Sequence, residues 1–292
     1  MHRDGETVSV DIEKETRLRV PIHTLGGIVC FGRVTVSPPL MELCGQKGVH
    51  ISFLSEQGKF YARVEGPITG NVLLRREQYR AADDETRRAK LARAFVAAKV
   101  ANSRMVLLRA MRDHAEKIAG EEVERASRDL SLILDELKAS LTLDQIRGKE
   151  GEAARRYFEV FDHLIVAQKE SFHFSGRNRR PPMDNMNALM SFVYTLLTHD
   201  VRSALQSVGL DPAVGFLHVD RPGRPGLALD MIEEFRPPFA DRLVLSLVNR
   251  QQLREKGFTK SETGAVMMDD ATRKELIVAY QERKKEEILH PF

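Results

Sequence analysis

The hydrophobic pattern of this chain changes period once. Up to about residue 74, apolar and polar side chains alternate in short β-rich runs over 7–11, 17–22, 27–30, 49–54 and 60–65. Turn signals separate the runs: Leu25-Gly26-Gly27, Ser37-Pro38-Pro39, Glu56-Gln57-Gly58 and Gly66-Pro67. One interruption is helical. Leu40, Met41 and Cys44 fall at helical spacing between a Ser-Pro-Pro start and Gly48, which predicts a short helix over 39–47.

From Asn71 onward the period is 3.6, first in the run Leu91, Phe95, Val96, Val100, Met105, Val106 and Leu108. Helices are predicted over 76–99, 102–118, 121–140, 150–169, 184–208, 228–250 and 270–288. Breaks fall at Gly120, Gly148, Pro181-Pro182, Gly209 to Pro212 and Pro222 to Gly226. The pattern predicts an α+β protein: a small all-β domain over 1–74, followed by a larger all-α domain over 75–292. There is no βαβ alternation, internal repeat or low-complexity tract.

Composition narrows the class. With 42% apolar and 30% charged residues in 292, the chain is an ordinary globular sequence, neither disordered nor a disulfide scaffold. No apolar run approaches the roughly 20 residues of a membrane span, and the first residues lack a signal-peptide core, so a cytoplasmic protein without a membrane partner is expected. Cys30 and Cys44 stand among apolar neighbours without metal or redox spacing and read as small buried hydrophobes. The net charge of +3 hides a local imbalance: residues 1–74 hold 8 basic and 8 acidic side chains, whereas residues 75–113 hold 11 basic and 5 acidic.

There is no Walker loop, G-x-G-x-x-G, H-E-x-x-H or G-x-S-x-G element, so a catalytic site has to be assembled from distant residues. Four stretches offer candidates. In Gly148-Lys149-Glu150-Gly151-Glu152, an acid at a predicted helix start either binds a cation or complements the helix dipole, and spacing does not choose between Glu150 and Glu152. His218, at the end of Gly215-Phe216-Leu217-His218, is either a metal ligand or general base, or a hydrogen-bonded core histidine. Asp230 shares a helix face with both Glu233 and Glu234, and like charges so placed repel unless a cation lies between them. Arg177, Arg179 and Arg180, on a loop without acids, either contact phosphates or form a solvated basic linker. A histidine with two carboxylates beside basic segments is coherent as a Mg²⁺ or Mn²⁺ site next to a polyanion.

These stretches, together with RVPIH from Arg19, LGGIVCFG from Leu25, GPITGNVLLRREQ from Gly66, EGEAARRYF from Glu150, RRPPMDNMNALMSF from Arg179, GLDPAVGFLH from Gly209 and LALDMIEEFRPPFADR from Leu227, carry a resemblance over essentially the whole chain. The sequence resembles the first CRISPR-associated protein family, the metal-dependent DNA endonuclease and integrase of spacer acquisition, and within it the type I-C branch. The resemblance implies an N-terminal β domain that supports a homodimer and a helical domain holding one Mg²⁺ or Mn²⁺ ion. It assigns metal binding and catalysis to Glu150, His218 and Glu233, with Asp230 in support. It also implies double-stranded DNA (spacer precursor and repeat) and a small dimeric CRISPR-associated protein as partners. The competing expectation is a non-catalytic DNA-binding subunit of the adaptation complex. Family members usually begin with a further strand and continue past Phe292, so part of the working molecule is expected to lie outside these residues.

Overall fold

The computed structural model describes residues 1–56, 60–66, 71–118, 120–178 and 181–288. Its strands lie mainly in the first 64 residues and the rest is mostly helical. The chain divides into two compact units, one made of Met1–Arg76 with His199–Asp211, the other of Glu77–Thr198 with Pro212–Phe292. Residues 199–211, which the sequence pattern groups with the helical region, therefore pack with the N-terminal strands.

In the first unit, β1 (His2–Asp4), β2 (Thr7–Ile12) and β3 (Glu15–Pro21) form an antiparallel meander. The β2–β3 turn places Glu13 and Lys14 at φ of 52° and 71°, the left-handed geometry whose twist matches a two-residue hairpin. A second sheet runs β4 (Gly27–Phe31), β5 (His50–Leu54), β6 (Phe60–Val64), with β4 and β5 parallel and β5 and β6 antiparallel. The parallel pair needs a crossover, supplied by α1 (Pro38–Gln46), which starts on Pro38-Pro39 and buries Leu40, Leu43 and Cys44. Both cysteines are buried and free, and burial pushes the Cys30 thiol up to about 11. Near the other edge, Phe60 stacks on His199 at 5.3 Å, and burial beside Arg63 and Arg202 pulls that imidazole down to about 4.

The second unit is built around α3. Helix α2 (Val72–Asp83) ends where Asp84 caps α3 (Glu85–Asp113), its side chain accepting the Arg87 amide at 3.0 Å. The 29 residues of α3 run straight through the break expected near residue 100. Packed on it are α4 (Gly120–Glu136), α5 (Leu143–Glu159) and α7 (Gly226–Phe235). Helix α5 begins at Leu143, with Thr142 and Gln145 forming a reciprocal capping box. Gly148 thus lies inside the helix, where the sequence pattern predicts a break. Helix α6 (Asn185–Ser207) precedes α7, and after α7 the turn widens over Arg236–Asp241 before α8 (Arg242–Asn249). Pro237 and Pro238 lack the amides that would continue an i to i−4 ladder, which accounts for the wide turn and splits the single helix expected over 228–250. A hairpin of β7 (Phe258–Lys260) and β8 (Val266–Met268), absent from the predicted elements, precedes α9 (Asp270–Arg283).

Candidate active site

Within the helical unit α3, α5 and α7 bring four charged side chains together. Lys99 of α3 forms ion pairs with Glu150 of α5 and, at 2.6 Å from its Oε2, with Glu233 of α7. The other oxygen of Glu233, Oε1, is held by Arg236. Lys99 is 8% exposed and Glu233 3%. Burial works against the Lys99 ammonium, but Glu233 and Glu150 more than offset it and hold its pKa above the usual lysine value. For Glu233 burial favours the neutral acid, yet Lys99, Arg236 and His218 overcome it and bring the carboxyl down to about 2. Arg236 is likewise held above its ordinary value: burial opposes its charge, but Glu233, Tyr194, Asp241 and Glu150 together outweigh it.

Three residues before Glu233, Asp230 is fully buried and satisfied in another way. Its Oδ2 accepts the amides of Phe216 and Leu217, and its Oδ1 accepts the His218 amide at 3.0 Å and lies 2.6 Å from His218 Nδ1. A carboxylate there favours the proton on Nδ1, leaving the Nε2 lone pair for a ligand. Arg88 Nε and Arg147 Nε donate to the Phe216 and Leu217 carbonyls at 3.0 and 2.8 Å, so the loop is gripped from both sides. Gly215 is obligatory for the approach: a Cβ there would stand 2.6 Å from the Gly226 carbonyl carbon and 2.7 Å from Asp230 Oδ2.

The cluster opens on a cleft of about 270 Å³ whose walls include Lys99, Arg177, Tyr194, Thr195, Arg236 and Asp241. Asp241 accepts the hydroxyls of Tyr157, at 3.1 Å, and Tyr194. Burial, only partly opposed by the Tyr194 hydroxyl and Arg177, lifts the Asp241 carboxyl to about 6. Arg177 and Arg236 both lie over the Tyr194 ring, at 4.9 and 4.8 Å. Arg177 also donates to Asn187 Oδ1 and, at 3.3 Å, to Ser191 Oγ, which ties the loop before α6 to that helix.

Several sequence expectations change on this geometry. Glu150 stands in the middle of α5, far from its first turn, so the helix-dipole reading does not apply to it. Glu152 pairs with the neighbouring Lys149 at 3.0 Å, while Glu150 faces Lys99. Glu234 offers its carbonyl to Asn102 at 2.8 Å, and Glu233 carries the buried carboxylate. Arg179 and Arg180 lie outside the described residues. Among the described residues, no three His, Cys, Asp or Glu side chains are gathered at metal-holding distance, and Lys99 pairs with both Glu150 and Glu233.

The donor set nonetheless fits a divalent ion. Two carboxylates already surround one cationic point, and Asp230, one turn before Glu233, holds His218 by Nδ1 so that its Nε2 lone pair is left for a ligand. Glu233 Oε2 has the Lys99 charge beside it but, among the described residues, no donor aligned for a hydrogen bond. The sequence reading missed Lys99, Arg236, Tyr194 and Asp241. One signal was available for Lys99: it falls at i+3 from Val96 and i+7 from Ala92, on the buried face of α3.

Fold and site define an α+β protein whose helical unit pairs two acidic side chains with a lysine that lines a cationic cleft. The model of the family described as CRISPR associated protein Cas1 matches residues 1–282, and the chain belongs to that family. It is 55% identical over 292 residues to the CRISPR-associated endonuclease Cas1 1 of Chlorobaculum tepidum, covering 100% of this chain and 85% of that protein. Among solved structures, a CAS1 protein from Thermotoga maritima superposes with a TM-score of 0.84 at 26% identity, covering 97% of this chain and 87% of the other. A casposase bound to its integration product superposes with a TM-score of 0.83 at 25% identity, covering 99% and 81%.

Proposed function

We propose that this protein is a divalent-metal-dependent DNA endonuclease and integrase of CRISPR adaptation, joining the 3′-hydroxyl of a DNA fragment to a phosphodiester of the repeat. The observation that carries the reading is the convergence of Glu150 and Glu233 on one cationic centre, with Asp230, one turn before Glu233 on α7, holding the Nδ1 of His218. Glu150, Glu233 and His218 Nε2 would hold Mg²⁺ or Mn²⁺, ions that suit two carboxylates and an imidazole. Such an ion supplies polarisation of a phosphodiester oxygen and acidifies a hydroxyl or water for in-line attack.

The remaining work falls to the chain's own side chains. Asp230 fixes the His218 ring and the loop that carries it. Arg177 and Arg236, stacked over Tyr194, give the cleft a positive wall suited to phosphate oxygens. Named relatives and the casposase neighbour support nuclease and integrase chemistry. Double-stranded DNA, a homodimer and the small dimeric CRISPR-associated protein belong to the same proposal, as does a cytoplasmic location. Among the described residues no helix is long and apolar enough to cross a membrane.

The test is integration of a labelled fragment into a repeat-containing duplex. Product is expected with Mn²⁺, none with chelator, and a loss of at least about 100-fold in Glu150→Ala and His218→Ala. Folded variants that integrate as fast as the parent would remove the site assignment. DNA retention indifferent to metal, with no product, would support the non-catalytic DNA-binding subunit instead.

A further inference from the structure

The centre of the cluster is filled by a lysine, and the charges around it are balanced without a metal. Glu150 and Glu233 face two cations, Lys99 and Arg236, in a volume where Lys99 and Glu233 are almost wholly buried. Adding a divalent ion while Lys99 stayed in place would leave two uncompensated positive charges in a low-dielectric space, a cost no surface screening relieves. The two cations are not equivalent. Arg236 sits on Glu233 Oε1, whereas Lys99 pairs with both acids, meeting Glu233 at its other oxygen. An ammonium on a flexible four-carbon stem can withdraw without moving the helix, and the cleft it lines is next to it.

We propose that Lys99 is a tethered counter-ion: it holds Glu150 and Glu233 together in the metal-free protein, competes with the divalent ion for the same two carboxylates, and withdraws into the cleft when that ion binds. This rests on the reading of Glu150, His218 and Glu233 as a divalent-metal site. Two consequences separate Lys99 from a residue that merely packs. Removing its charge weakens the metal-free fold, because two carboxylates then face each other, yet strengthens metal binding, because nothing has to be displaced. A structural lysine would weaken both.

The experiment uses the whole chain without DNA, with Mn²⁺ as the probe. Mn²⁺ affinity is measured by calorimetry at one pH for the parent, Lys99→Met, Lys99→Arg and Glu150→Gln, with thermal melts in chelator and in saturating Mn²⁺. Lys99→Met is expected to bind Mn²⁺ at least about tenfold more tightly than the parent. It should melt lower in chelator and gain more from Mn²⁺, while Lys99→Arg, which keeps the charge, stays near the parent. A folded Lys99→Met with unchanged or weaker Mn²⁺ affinity overturns the proposal. A second measurement needs no variant: acylation of Lys99 in the parent, followed by mass spectrometry, should rise when Mn²⁺ saturates the protein. Labelling that is unchanged or falls overturns the proposal equally. If the parent binds no Mn²⁺, or if Glu150→Gln binds it as well as the parent does, the metal-site reading itself fails and takes the proposal with it. If Glu150→Gln loses the ion but Lys99→Met gains nothing, only the role of Lys99 fails.

Discussion

Asp230 and Glu233 stand one turn apart on α7, both almost completely buried, and the protein neutralises them in opposite ways. Asp230 is surrounded by three backbone amides and the Nδ1 of His218, none of which can leave without unfolding the loop over 215–218. Glu233 is balanced by the ends of two long side chains, Lys99 and Arg236, rather than by the backbone. A carboxylate held by backbone amides is a fixed piece of architecture. One held by side-chain cations depends on groups that carry charge of their own, so the same helix carries a scaffold acid and, on the proposed reading, a ligand acid.

The largest effect that bears on this contrast is expected from Asp230→Ala. It strands three buried amides and frees the imidazole, and at about 1 to 3 kcal/mol for each unsatisfied buried group the loss should exceed about 4 kcal/mol. Denaturant unfolding with chelator present measures it, and a loss under about 1 kcal/mol would show that Asp230 is no scaffold. Glu233→Gln comes next, at about 3 kcal/mol, because the buried Lys99 and the partly buried Arg236 are left with one charge fewer to face. Its sign against pH is specific. With a carboxyl held at about 2 in the fold against an ordinary 4.5, Glu233 contributes stability that is complete above about pH 4.5 and lost as the pH falls toward 2. The parent should therefore lose more stability between those values than the Gln variant, read by melting temperature across pH, the remainder of the acid limb belonging to other paired carboxylates such as Glu77 and Asp113.

Gly215→Ala should cost about 2 kcal/mol, since its Cβ must push back either Asp230 or the start of α7. It tests the scaffold side alone: Mn²⁺ affinity should fall with the displaced loop while the Glu233 acid limb persists. The smallest stability effect is expected from Glu150→Gln, under about 1 kcal/mol, because that side chain is 27% exposed and Lys99 keeps Glu233 as a partner. A variant that is nearly as stable as the parent yet has lost Mn²⁺ binding would place Glu150 on the ligand side of the comparison.

Much of this site was open to reading along the chain. The change of period near residue 74 marks where strands give way to helices, and Gly215-Phe216-Leu217-His218 and the acids Asp230, Glu233 and Glu234 stand out as local patterns, although only the family resemblance selects Glu233 over Glu234. Other parts were not. Choosing Glu150 over Glu152 needed the family resemblance, because local spacing pointed to a helix start that the Thr142 cap places seven residues earlier. The wide turn after α7 was misread as continuous helix, since two prolines inside an apolar run leave the periodicity intact while removing its amides.

By itself, the amino-acid order determined which residues repeat every two and every 3.6 positions, where glycine and proline punctuate them, and that a histidine and several acids lie near basic segments. Those are local properties, set by the backbone and by neighbours within a turn. Only the tertiary structure decided that Lys99, 51 residues before Glu150 in the chain, stands between it and Glu233. An ion pair of that kind depends on three helices meeting, and nothing within one turn of Lys99 encodes the meeting. The same packing lets one buried acid be held by backbone amides and the other by side-chain cations, although a single helical turn separates them.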